Sequence, residues 1–92
     1  LDPSSRTIKV EGMELTRLTQ LEFRLLYTLM SHPGQVLSTE TLVESVWGYN
    51  DTGNRELVRG LVKRLRRKVE VDPRNPRFIC TSPGLGYMLV VE

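Results

Sequence analysis

The 92-residue sequence predicts an α+β domain with a short N-terminal antiparallel β-sheet, three helices and a C-terminal β-hairpin. Three observations predict it. Apolar residues recur at helical spacing in three stretches between Gln20 and Val71. Segments of alternating polarity lie at both ends of the chain. Pro, Gly and Asn punctuate the junctions. Three helices followed by a hairpin outline a winged helix-turn-helix, in which the third helix is the groove reader and the hairpin is the wing.

The elements follow in order. Thr7–Val10 and Met13–Thr16 alternate in polarity around Glu11-Gly12, as a short hairpin with Gly in its turn does. Thr19-Gln20-Leu21-Glu22 is a capping-box signature, with a hydroxyl and a carboxylate three residues apart. The helix it opens runs to about Ser31, with Leu21, Leu25 and Leu29 in one apolar row and Leu26 and Met30 in a second. Pro33-Gly34 stops it. Val36-Leu37 reads as a short apolar connector. Ser38 is an N-cap for a second helix to about Trp47, with Leu42, Val43 and Val46 as its buried stripe. Gly48–Asn54 has loop composition. A third helix spans about Arg55 to Val71 and ends before Pro73. Phe78–Thr81 and Tyr87–Val91 are strands joined by the tip Ser82-Pro83-Gly84-Leu85-Gly86.

Composition narrows the function. A chain of this length forms one domain, residues 1–92, with one modest core. No apolar run approaches the roughly 18–20 residues that a membrane span needs. Cys80 is the only cysteine, which rules out an internal disulfide and suits a reducing cytoplasm. Net charge is only +2, but its distribution is uneven: residues 1–54 carry −3 and residues 55–92 carry +5. Nine of the thirteen Lys and Arg residues fall between Arg55 and Arg77. A basic helix in such a half points to a polyanion, and first to nucleic acid. With no glycine-aromatic RNA-binding signature, double-stranded DNA is the expected partner.

On a helical wheel with Arg59 at zero, Leu57, Val58, Leu61, Val62, Leu65 and Val69 cover an arc of about 160° to 300°. Arg55, Arg59, Lys63, Arg66 and Arg67 cover about −40° to 80°, opposite the apolar arc. Arg64 and Lys68 lie on the shoulder, from which long stems reach outward. Glu56 and Glu70 intrude near the basic stripe. Gly60 costs a helix up to about 1 kcal/mol relative to Ala. Either it lets the helix approach DNA closely or it packs against another helix.

Other chemistry is poorly supported. His32 is the only histidine and is expected to act as a charge at a helix end. Without a second His or a Cys pair, neither a zinc site nor any other metal or cofactor is expected. Carboxylates are scattered and there is no nucleophile elbow, so no enzyme is expected. Trp47 and Tyr87 are core aromatics, phosphate donors, or both. Cys80 is expected to be a buried structural thiol.

The chain resembles the effector domain of the OmpR/PhoB family of bacterial response regulators. The resemblance is carried by Leu18-Thr19-x-x-Glu22-Phe23-x-Leu25-Leu26, by Pro33-Gly34-x-Val36-x-Ser38 and by Leu42-x-x-x-Val46-Trp47-Gly48. It continues in Val62-x-Arg64-Leu65-Arg66-x-Lys68-x-Glu70 and Gly84-x-Gly86-Tyr87. It implies sequence-specific DNA binding that regulates transcription, a receiver domain earlier in the same polypeptide, and a head-to-tail dimer on direct repeats. It also implies an RNA polymerase contact through Gly48–Asn54. By position, Arg64 matches a base-reading arginine, and Lys63, Arg66, Trp47 and Tyr87 match phosphate contacts. Two departures stand out. Where relatives often have Val-Asp-x-His-Ile, this chain has Val58-Arg59-Gly60-Leu61-Val62. Wing positions that are often Arg are Pro83 and Met88 here, and Leu85 occupies a tip position that is polar in some relatives. The charge-poor wing also motivates an alternative, a winged-helix protein-interaction module that has lost DNA binding.

Overall fold

The structure is a computed structural model that describes residues 5–8, 16–48 and 55–90. The expected N-terminal hairpin is seen at its base, where β1 (Thr7–Ile8) pairs antiparallel with β2 (Thr16–Arg17). Its turn at Glu11-Gly12 lies outside the described residues, as does the loop beyond Gly48.

Helix α1 (Gln20–Met30) starts at the capping box. The Thr19 hydroxyl accepts from the Glu22 N–H at 3.2 Å, and the Glu22 carboxylate accepts from the Thr19 N–H at 2.8 Å. The helix is followed by a turn in which Gln35 N–H donates to the His32 carbonyl at 3.1 Å. Pro33 and Gly34, the latter at φ 75°, fill the central positions that a type II turn demands. His32 Nδ1–H donates to the Thr28 carbonyl in the last turn of α1.

Leu37–Ser38 is not a mere connector. It forms β3, which pairs antiparallel with β5 (Gly86–Leu89), Leu37 opposite Tyr87 and Ser38 opposite Gly86. Two residues are too few to show a polarity pattern, and their partner is distant in sequence. Ser38 also caps α2 (Thr39–Trp47), its hydroxyl accepting from Thr41 N–H at 3.1 Å. The helix ends at Gly48 in the left-handed conformation, φ 83°, as a C-terminal Gly does. Arg24 of α1 donates to the Val46 carbonyl at 3.2 Å, satisfying an end group of α2.

Helix α3 (Arg55–Val69) is two residues shorter than the sequence predicts. Glu70 closes it, its N–H donating to the Arg66 carbonyl at 2.9 Å. Strand β4 (Ile79–Ser82) and β5 make the wing, with Ile79 opposite Leu89 and Ser82 opposite Gly86. The sheet order is β3-β5-β4. The wing turn repeats the Pro-Gly device: Leu85 N–H donates to Ser82 O at 3.0 Å, with Pro83 and Gly84 (φ 75°) between them. Gly86 is required by close approach, since a Cβ there would run into the Leu37 carbonyl.

The three helices pack on one another and on the wing sheet. Leu25, Leu26 and Leu29 of α1, Leu42, Val43 and Val46 of α2, and Val58, Leu61, Val62, Leu65 and Val69 of α3 form the core with Leu18, Leu37, Ile79 and Leu89. Two expected core residues are not in it: Met30 is 44% exposed and Leu57 is 41% exposed. Each lies at the edge of its apolar arc, beyond the neighbouring element. Ile79 is the inward residue of β4, and Cys80 is half-buried rather than buried.

Candidate nucleic-acid interface

The exposed face of α3 carries Arg59, Lys63, Arg64 and Arg67, all solvent-exposed, with Arg55 also exposed at its first residue. None of the four makes a hydrogen bond or ion pair among the described residues. Their charge is therefore unneutralised from within. The exposed arc runs from Arg55 and Arg59 past Lys63, Glu56, Arg67 and Gly60 to Arg64 and Leu57. It extends about 80° past the end of the basic arc drawn on an ideal wheel. Arg64 thus stands within the free face rather than on its shoulder. Fifteen residues give α3 a length of about 22 Å, matched to a stretch of B-DNA major groove.

The predicted stripe is not free along its whole length. Arg66, on the opposite edge of the ideal stripe, is drawn onto the wing. Its Nε and Nη2 donate to the Ile79 carbonyl at 3.1 and 2.8 Å, and Nη2 also donates to the Thr81 hydroxyl at 2.8 Å. Its guanidinium lies over the Tyr87 ring, 5.9 Å from the centroid. Arg66 is consequently half-buried, and part of its donor set is committed to the protein. Glu70 does not sit near the basic stripe. It is 2% exposed, and its carboxylate accepts from the backbone N–H groups of Arg77, Phe78 and Ile79 at 2.8–3.2 Å. Ile79 is therefore gripped on both its peptide groups by one end of α3.

Lys68 also turns inward. Its ammonium donates to Glu22 at 2.6 Å and to the Arg17 carbonyl at 3.2 Å. Burial would push the Glu22 carboxyl up. The Lys68 and Thr19 hydrogen bonds and the Lys68 charge outweigh it, and the pKa lies below its ordinary 4.5. The last turns of α3 thus divide their cations between architecture (Arg66, Lys68) and solvent (Lys63, Arg64, Arg67). The sequence shows five basic residues in these turns. Nothing in it marks which carbonyl or carboxylate would claim two of them.

Trp47 and Tyr87 are both half-buried and pack against the core. A groove of about 570 Å³ separates the start of α2, the first turns of α3 and the wing. Arg55, Glu56 and Arg59 line one side, Thr81, Leu85 and Tyr87 the other. Leu85, at the wing tip, is 65% exposed, and the tip residues Pro83, Gly84 and Leu85 bring no charge. Among the described residues there is no group of three or more His, Cys, Asp or Glu that could hold a metal ion. No described helix is long and apolar enough to cross a membrane.

Residues 12–89 match the family described as "Transcriptional regulatory protein, C terminal". The chain belongs to that family, the OmpR/PhoB type. It is similar to the RstA DNA-binding domain of Klebsiella pneumoniae, solved in complex with the RstA box. Identity is 28% over 97% of this chain and 87% of that one, with a TM-score of 0.83. It is similar to the DNA-binding domain of CpxR from E. coli, at 33% identity over 98% and 87% of the two chains, TM-score 0.80. It also resembles DrrB, an OmpR/PhoB homologue and response regulator of Thermotoga maritima. There, identity is 33% over 85% of this chain and 35% of that one, TM-score 0.74. Within this OmpR/PhoB-family fold, the departures noted in the sequence fall in different places. Leu61 is a core residue and leaves the interface untouched. Arg59 and Gly60 lie on the exposed face of α3.

Proposed function

We propose that residues 1–92 are the sequence-specific, double-stranded DNA-binding effector domain of a two-component response regulator that controls transcription. Helix α3 lies in the major groove, and the wing lies near the adjacent minor groove. The single observation that carries this reading is the set of four exposed, internally unpaired cations on one face of α3. Charge left unsatisfied by its own protein is available to phosphates, and its neutralisation releases counterions. Arg64 and Arg59 read base edges, Lys63 and Arg67 hold phosphates, and Trp47 and Tyr87 add donors at the flanks. Arg66 contributes to the phosphate contact through what its wing bonds leave free, and otherwise sets the wing against α3. With no cation at the tip of the wing, α3 carries most of the electrostatic term.

The same proposal includes a receiver domain in the same polypeptide, a cytoplasmic location and a head-to-tail dimer on direct repeats. It also includes an RNA polymerase contact through the segment from Gly48 to Asn54. The response-regulator relative, of whose chain this one spans 35%, supports the receiver.

A salt series on duplex DNA tests the reading. Phosphate contacts from Lys63, Arg67 and Arg66 predict log K falling with log salt at a slope of roughly −2 to −3. Lys63→Ala should lower that slope by about one on every sequence. Arg64→Ala should cost roughly 1–3 kcal/mol of preference for a selected site over random duplex. Absence of binding to random duplex at low salt would sink the proposal and leave the protein-interaction alternative.

A further inference from the structure

Gly60 lies near the centre of the exposed face of α3, with Lys63 and Arg64 one turn on and Arg67 two turns on. A glycine inside a helix lowers its stability, so something must favour its presence. The backbone does not require it: Gly60 is absent from the positive-φ glycines, which are Gly34, Gly48, Gly84 and Gly86. Packing does not require it either. A Cβ at Gly60 would meet nothing within 4 Å, whereas one at Gly86 would strike Leu37. The fold thus leaves the position open to any side chain, and the chain leaves it bare.

We infer that Gly60 is the point at which the backbone of α3 comes into direct contact with base edges in the DNA major groove, and that it sets the depth at which the flanking arginines read. This rests on the DNA-binding reading above. Helix backbone atoms lie on a cylinder of radius about 2.3 Å, whereas the helix with its side chains is about 10–12 Å across. The major groove is about 12 Å wide, so a side chain pointing into it fixes how far the helix enters. On the helix surface the bare spot at Gly60 is bordered by Glu56 and Leu57 one turn before it and by Lys63 and Arg64 one turn after it, all exposed. Entry at the bare spot brings the shoulders of the helix closer to the groove floor. Arg59 and Arg64, one residue before and one turn after Gly60, then reach base edges, while Lys63 and Arg67 hold phosphates.

The test compares Gly60→Ala and Gly60→Leu with the unaltered chain in two measurements. One is thermal unfolding. The other is binding to a random-sequence duplex and to a duplex enriched by the chain from a random library. Loss of the helix glycine should raise Tm by about 4–8 °C in each variant. Affinity for the enriched duplex should fall by about tenfold or more for Gly60→Leu, and less for Gly60→Ala, as base contacts are lost. Affinity for random duplex at low salt should change by less than about twofold, because phosphate contacts dominate there. A fall in Tm in both variants would mean a packing role and overturn the inference. Unchanged affinity for the enriched duplex, or equal losses on both duplexes, would overturn it too. In each case, salt-dependent binding by the unaltered chain keeps the DNA-binding reading intact, and only its absence in that chain would remove it.

Discussion

Glu22 accepts from two partners with one nearly buried carboxylate, the Thr19 N–H and the Lys68 ammonium, and Lys68 also donates to the Arg17 carbonyl. The depressed pKa of Glu22 gives stability a pH dependence of definite sign. The ionised form is favoured in the folded state, so the stabilisation is complete above the unfolded value of 4.5 and is lost as pH falls through the lower folded value. Glu22→Gln should cost about 1–3 kcal/mol at pH 7, since it leaves the Lys68 ammonium without its charged partner. Its urea midpoint should also fall less steeply between pH 5 and acid (about pH 3) than that of the unaltered chain. Identical pH profiles for the two proteins would show that Glu22 does not carry the acid sensitivity. Arg64 and Arg66 make the complementary point. They share one side-chain chemistry and are separated by a single residue. One is free and the other is tied to the wing, because a turn of about 200° between them faces one outward and one toward β4.

At the scale of elements, what was legible in the sequence was local. Thr19 with Glu22, Ser38 before Leu42, and the two Pro-Gly pairs act on backbone groups within four residues, and the structure shows each of them. What was not legible was long-range. Strand β3 depends on Tyr87 and Gly86, Lys68 on Glu22, and the burial of Glu70 on the Arg77–Ile79 amides. An ideal wheel assumes that a helix is sorted only by polarity, so it placed Leu57 in the core and Arg66 on the free face. The wing sheet claims the Arg66 edge instead, and the exposed arc extends to Arg64 and Leu57. The helix–wing junction gives a prediction of its own. Arg66→Met keeps the aliphatic stem but removes every donor to Ile79 and Thr81. It should destabilise the chain by about 1–3 kcal/mol and speed hydrogen exchange at wing amides more than at α1 amides. Uniform acceleration across α1 and the wing would mean that the bond acts on global stability alone.

On the scale of the whole molecule, one core serves three helices and a sheet, so the described chain should unfold in a single cooperative step. An acidic N-terminal half and a basic C-terminal half give it a polarity that a polyanion would use to orient its approach. Duplex DNA at one hundred times its Kd should raise Tm by about 10–20 °C at low salt, and the gain should shrink as salt rises. A Tm indifferent to DNA under those conditions would contradict binding to the native state. The grip of α3 on Ile79, by Arg66 at its carbonyl and Glu70 at its N–H, then takes on a meaning beyond stability. It turns helix and wing into a pair of fixed calipers. Two jaws with a set gap cannot adapt to the spacing between neighbouring grooves, so the duplex must do the adapting. Sites whose base steps bend or narrow cheaply would be preferred even at positions that no side chain touches.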